Sequence, residues 1–171
     1  ANQIVNLPGG PYTCPNYCAR ARVLFQNKNV MCQYRAVGHP IATAVTEGLV
    51  ELAAARIGMD PLEIRRRNLI ADDAHPSSGP SGIKFEALSH HESLAHLDAM
   101  MNYAGLRAEQ KRLRAQGIYR GIGFASFIEV TNPSAAFYGV GGAKISAQDG
   151  VTMKLDAQRA IICQTGVTQQ G

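Results

Sequence analysis

A chain of 171 residues, 46% of them hydrophobic and 18% charged, has the size of one ordinary domain or two small ones and enough apolar material for a core. Its formal charge of +4 is mild and does not imply nucleic acid. The basic clusters, Arg65 to Arg67 and Lys111, Arg112 and Arg114, fall in helical patterns without interleaved aromatics and read as solvated helix faces. No stretch approaches the roughly 18 apolar residues of a membrane span, and "ANQIVNLPGG" has no basic region followed by an apolar one, so the expectation is a soluble, cytoplasmic chain without a visible signal. Four cysteines, Cys14, Cys18, Cys32 and Cys163, are too few and too irregular for a secreted disulfide scaffold.

In chain order, the turn-rich "NLPGGPYTCPNY" precedes "RARVLFQ" (20–26), whose partial alternation predicts a strand. "QYRAVGHPIATAVTEG" (33–48) then bends through Gly38 and Pro40 into helical spacing. Pro40 suits a first helical turn, where a missing N–H costs nothing. Ile41, Ala44, Val45, Leu49, Leu52 and Ala53 form one apolar face, with Gly58 placed as a left-handed cap. Asp60, Pro61 and Glu63 form a capping-box pattern for a second helix over about 61–69.

Residues 72–84, "DDAHPSSGPSGIK", have the composition of a surface connection. Ser89 and Glu92 repeat the capping device for a helix that carries Leu94, Leu97, Met101 and Ala104 on one face and ends at Gly105; a short basic helix follows, ending at Gly117. The remainder turns β-rich: 119–130, 142–148, 151–157 and 160–166 read as short strands, with Asp149-Gly150 as a hairpin signal. Helices followed by a strand meander make the chain α+β.

Most chemical motifs fail on inspection. His91 and His96 are five residues apart, about 140° around a helix, whereas zinc chelation from one helix needs a spacing of four with the glutamate between. His90, His91, Glu92 and His96 therefore read as polar residues of a capped first turn. Cys14 and Cys18 lack a second pair at metal spacing. "GIGFAS" (121–126) has Ser126 where a dinucleotide fingerprint needs its third glycine, and "GVGG" (139–142) reads as a turn. No serine or cysteine stands in a nucleophile context. Two readings of Arg35 stand open: it braces the turn, or the turn carries a ligand.

A family resemblance bears on that choice. "QYRAVGHPIATAVTEGLVELAAARIGMDPLEIRRRNLI" (33–70) resembles the large, molybdopterin-binding subunit of the xanthine dehydrogenase, aldehyde oxidase and carbon monoxide dehydrogenase family: an aromatic, Arg, a small residue, a variable one, Gly, a helix, an acidic-capped second helix and "RRxNLI". "PYTCPN" (11–16) is similar to that family's Pro-Tyr-x-x-Pro-Asn segment. "YRGIGFASFIEV" is similar to the strand opening its second molybdopterin-binding domain, and "TGVTQQG" (165–171) to the start of a cofactor loop.

The resemblance implies an interior slice: 1–71 as the C-terminal part of the first molybdopterin-binding domain, 72–88 as linker and 89–171 as the N-terminal part of the second. It implies a molybdenum hydroxylase that oxidises an aldehyde or N-heterocycle with water-derived oxygen, the alternative being a non-catalytic assembly module or a degenerate, cofactor-free relative. Arg35, Ala36, Gly38, Gln170 and Gly171 would border a molybdopterin-type cofactor, in its cytosine dinucleotide form. Val37 and Phe124 would wall the substrate pocket. No catalytic residue and no metal ligand is expected within the chain; a general-base glutamate would lie downstream, so this chain alone would be inactive. Two-iron two-sulfur clusters and FAD would sit on partner chains or domains. Copper-containing members carry a cysteine directly after the arginine, where this sequence has Ala36, so a copper-free site is implied.

Overall fold

The computed structural model describes residues 2–29, 35–129 and 150–166. The expected strand at 142–148, the turn at 139–142, Cys32, Gln170 and Gly171 lie outside them. The chain divides into two compact units, Ala1–Cys32 with Ala36–Glu129, and Gln33–Arg35 with Val130–Gly171.

The first unit holds α1 (Asn2–Asn6), α2 (His39–Ile57), α3 (Pro61–Asn68), a two-residue ladder of β1 (Ser77–Ser78) on β2 (Lys84–Phe85), then α4 (His90–Met101) and α5 (Tyr103–Arg114). α2 packs on both α1 and α3. As expected, Gly58 closes α2 at φ +66°, with the Met59 N–H reaching Ala54 O at 2.9 Å. Asp60 caps α3, its Oδ1 accepting from the Leu62 N–H at 2.8 Å and the Glu63 N–H at 3.3 Å. Glu63 does not complete the reciprocal box, because its carboxylate is drawn to Arg67 Nε, 2.7 Å away.

The core gathers Tyr12, Leu62, Leu69, Leu94, Tyr103 and Phe124, with Val50, Met101 and Ile122 packed against them. Tyr12 enters through an extended stretch antiparallel to the end of α3: the Thr13 N–H donates to Asn68 O at 2.7 Å and the Ile70 N–H to Pro11 O at 2.8 Å.

Four sequence expectations are corrected here. The face of α2 that is buried carries His39, Ala42, Thr46, Glu47 and Ala54, while Ile41, Val45, Leu49 and Leu52 are exposed. Hydrophobic spacing identified the helix but not the side that packs within this unit. Residues 20–26 form no strand, for want of a ladder partner among the described residues, and Val23, Leu24 and Phe25 are exposed. The helix after Ser89 ends at Asn102, at φ +48°, and Gly105 lies inside α5 against the Asn102 side chain. The Ser89 hydroxyl does not cap α4; Asp72 does so from 20 residues upstream, accepting from the His91 and Glu92 N–H groups at 3.3 and 3.2 Å.

The second unit shows a hairpin of β3 (Val151–Leu155) and β4 (Ile161–Thr165), paired from Val151↔Thr165 to Leu155↔Ile161. Asp156 builds its turn, Oδ1 accepting from the Gln158 and Ala160 N–H groups at 2.9 and 2.8 Å. Helices and short antiparallel strands make the chain α+β, as expected.

Residues 119–129, expected as a strand, are extended without a ladder. Four of the segment's carbonyls are taken by side chains instead, one from each long helix. Gln110 Nε2 of α5 donates to Arg120 O at 2.7 Å, and Arg65 Nη2 of α3 to Phe124 O at 3.0 Å. His90 Nε2 of α4 meets Phe127 O at 3.1 Å, and His39 Nδ1 of α2 meets Ile128 O at 2.8 Å. This satisfies acceptors that a sheet would otherwise pair.

Candidate functional site

The turn at residues 35–38 opens with exposed Arg35, and its next three residues have positive φ: Ala36 at +69°, Val37 at +26° and Gly38 at +94°. Only glycine takes that region freely. A β-branched residue there is an outlier that surrounding structure must hold in place. The Ala36 carbonyl accepts the His39 N–H at 2.8 Å and the Gly38 carbonyl accepts the Ala42 N–H at 2.9 Å, so the turn runs directly into α2.

The start of α2 has no side-chain cap, a proline in its first turn and no acidic residue there. A helix N-terminus of this kind keeps its positive end available to an anion. This end of α2 suits a negatively charged group rather than a metal ion held directly by the protein. Among the described residues no cluster of three or more His, Cys, Asp or Glu could hold a metal, and the Ala36 methyl offers no ligand.

Beneath α2 lies a polar network that the sequence did not announce. Arg65 is fully buried, not part of a solvated face as expected from the run of three arginines. Its Nε and Nη2 donate to Glu47 Oε2 at 3.0 and 2.8 Å, its Nη1 to Pro61 O at 2.8 Å and its Nη2 also to Phe124 O. Tyr12 donates its hydroxyl to Glu47 Oε1 at 2.8 Å. Glu51 Oε1 stands 3.0 Å from Arg65 Nη2 but accepts no well-directed hydrogen bond, so it contributes charge only. Burial opposes the charge on Arg65; Glu47, by hydrogen bond and by charge, outweighs it and holds the guanidinium protonated. Burial is also the main cause of the raised Tyr12 pKa, with Glu47 adding to it. The available signal was His39, Thr46 and Glu47 recurring at helical spacing opposite the apolar stripe of α2.

Of the expected site residues, the structure joins Ala36, Val37 and Gly38 in one half-buried turn. Phe124 is a core residue: it is only 8% exposed, its ring meets that of Tyr103 edge-on at 5.1 Å and 76°, and the Arg65 guanidinium lies 5.8 Å from it. Tyr103 in turn donates to Asp60 Oδ2 at 2.8 Å; burial, then that carboxylate, push its pKa up to about 12.

Residues 1–69 match the family described as Molybdopterin cofactor-binding domain. The chain is 30% identical over 166 residues to the nicotine 6-hydroxylase large subunit of Paenarthrobacter nicotinovorans, which covers 96% of this chain and 20% of that protein. It is 32% identical over 151 residues to the 6-hydroxypseudooxynicotine dehydrogenase complex subunit gamma of the same organism, covering 85% and 19%. Among solved structures, quinoline 2-oxidoreductase from Pseudomonas putida 86 superposes with a TM-score of 0.69 at 28% identity, over 81% of this chain and 18% of that one. A Cu,Mo-CO dehydrogenase structure, at TM-score 0.60 and 24% identity over 80% and 18%, shares the fold. The chain thus spans about a fifth of the length of the curated relatives it matches.

Proposed function

We propose a role for a chain that belongs, through residues 1–69, to the molybdopterin cofactor-binding domain family, and that bears out its resemblance to the large subunits of the molybdenum hydroxylases. It is part of the cofactor-binding catalytic subunit of an oxidoreductase that hydroxylates an N-heterocycle or an aldehyde with oxygen derived from water. The observation that carries this reading is the strained turn Ala36–Val37–Gly38 feeding an uncapped helix. Relatives named for nicotine and quinoline favour a heterocycle as substrate and an enzyme over an assembly module.

Arg35 and the backbone of Ala36 and Gly38 would hold the anionic cofactor, with Gln170 and Gly171 as further contacts. When bound, that group supplies the redox centre at which an electron-poor carbon is hydroxylated. The protein's part is to offer donors, exclude water and orient substrate. Val37 is the proposed wall of the substrate pocket, with Phe124, held by Tyr103 and Arg65, as the second wall position. We read the cofactor as the cytosine dinucleotide form and the partners as iron-sulfur and FAD subunits or domains; relatives named as a large subunit and as a complex's gamma subunit support a multi-subunit assembly. Residues 1–71 and 89–171 are taken as parts of two molybdopterin-binding domains joined by 72–88, which the end of the family match at residue 69 supports. No helix among the described residues is long and apolar enough to cross a membrane, and the free Cys14, Cys18 and Cys163 suit the reducing cytoplasm.

Metal analysis of the intact enzyme tests the proposal. Stoichiometric molybdenum without copper is expected, and Arg35→Ala should lower molybdenum occupancy while the polypeptide stays folded. A metal-free enzyme from a molybdate-supplied host would sink the reading, and full occupancy in the variant would return Arg35 to a bracing role.

A further inference from the structure

Two consecutive non-glycine residues at positive φ, one of them β-branched, do not persist unless something holds them. Local hydrogen bonds at Ala36 O and Gly38 O belong to the turn and to α2 and would move with them. Among the described residues, His39 ties this end of α2 to another part of the unit. It immediately follows the turn, is 8% exposed, and sets Nδ1 2.8 Å from the carbonyl of Ile128, 89 residues away in sequence. A carbonyl can only accept, so Nδ1 carries the proton. Ile128 belongs to the same 119–129 segment, whose Phe124 carbonyl Arg65 holds from α3.

We propose that His39 is a positioning residue that locks the strained 36–38 turn against the 119–129 segment at Ile128, and so keeps the turn's backbone in the form that receives the cofactor. The lock is geometric and stands on the structure alone; its purpose rests on the function proposed above. Sequence reading assigned His39 no role, because a histidine beside a helix-starting proline has no motif to advertise it.

The test compares His39→Leu, which keeps bulk and removes the donor, with His39→Asn, whose amide carries a donor at the same distance from the backbone as Nδ1, in the intact enzyme. Hydrogen exchange of the peptide spanning residues 36–46 is read in metal-free protein, and molybdenum content after expression with molybdate. In His39→Leu, exchange should quicken roughly fivefold, the scale of one lost hydrogen bond, and molybdenum occupancy should fall severalfold. The melting temperature of the metal-free enzyme should move by no more than about 2 °C, less than a general packing defect produces. His39→Asn should restore exchange and occupancy together. Unchanged exchange in His39→Leu, or occupancy that Asn does not restore, overturns the proposal. If His39→Leu does not fold, His39→Gln replaces it, its donor displaced by one carbon, with the same two outcomes. A wild-type enzyme without molybdenum would defeat the function proposed above, and the exchange comparison would still decide the lock.

Discussion

Arg65 on α3 grips a single oxygen of Glu47 on α2 with two donors, Nε at 3.0 Å and Nη2 at 2.8 Å, in a place where the arginine has no exposed surface. Tyr12 takes the other carboxylate oxygen, so Glu47 is paired on both sides. A buried ion pair of this kind adds little over well-packed apolar groups, yet removing one partner strands the other.

Arg65→Met should therefore cost about 3–5 kcal/mol, since it leaves Glu47 Oε2 and the Pro61 and Phe124 carbonyls without the arginine's donors. Chemical denaturation of the intact subunit measures it. The double variant Glu47→Leu with Arg65→Met should be less destabilised than Arg65→Met alone, because no buried carboxylate is then left opposite the missing guanidinium. A double variant worse than either single change would mean that the pair acts through packing rather than charge.

The cap of α4 comes from Asp72, not from Ser89. Asp72→Ala is expected to lower stability by about 1 kcal/mol and Ser89→Ala by much less. Equal effects of the two substitutions on the thermal midpoint would contradict the structure.

Alkaline titration should reveal Tyr103. Its folded pKa, raised to about 12 from 10.0 by burial and the Asp60 carboxylate, means that the folded state keeps a proton which the unfolded chain releases. The associated stability is complete below pH 10.0 and is lost as pH rises towards about 12. Tyr12, raised for the same first reason, extends the decline. Tyr103→Phe should reduce the slope of stability against pH in that window by up to about one proton. An unchanged slope would place the titration elsewhere.

Gly9 and Gly58 both have positive φ, +94° and +66°, but different surroundings. A Cβ on Gly58 would meet nothing within 4 Å, whereas one on Gly9 would stand 2.7 Å from Pro80 Cγ. Gly58→Ala should cost about 1–2 kcal/mol of conformational strain. Gly9→Ala should cost clearly more, because a proline ring cannot swing aside. Comparable melting temperatures for the two variants would show that Pro80 yields.

What the sequence could reveal depended on how local the cause was. The Gly58 cap, the Asp60 cap and the hairpin from Val151 to Thr165 are set by neighbouring residues and were legible. The buried face of α2 was not legible: Glu47 and His39 look like surface residues until Arg65 and the Ile128 carbonyl arrive from 18 and 89 residues away. Asp72 was likewise hidden, because a serine stood at the capping position and local pattern favoured it. At the candidate site, the residues of the turn could be named from resemblance, but the positive φ of Ala36 and Val37 has no sequence signature.

The segment 119–129, tethered by Gln110, Arg65, His90 and His39, has a kinetic consequence. Its four tethers close loops of 10, 59, 37 and 89 residues, so it cannot zip onto a neighbouring strand one pair at a time. Each donor sits on a different helix, and the long-range contacts become available only after those helices have met. Refolding should accordingly protect the amides of α2 and α3 before those of 119–129, and pulse-labelled hydrogen exchange that found the reverse order would refute it. On this account the extended segment is the clasp fastened last, and substitutions in its tethers should hasten unfolding more than they slow folding.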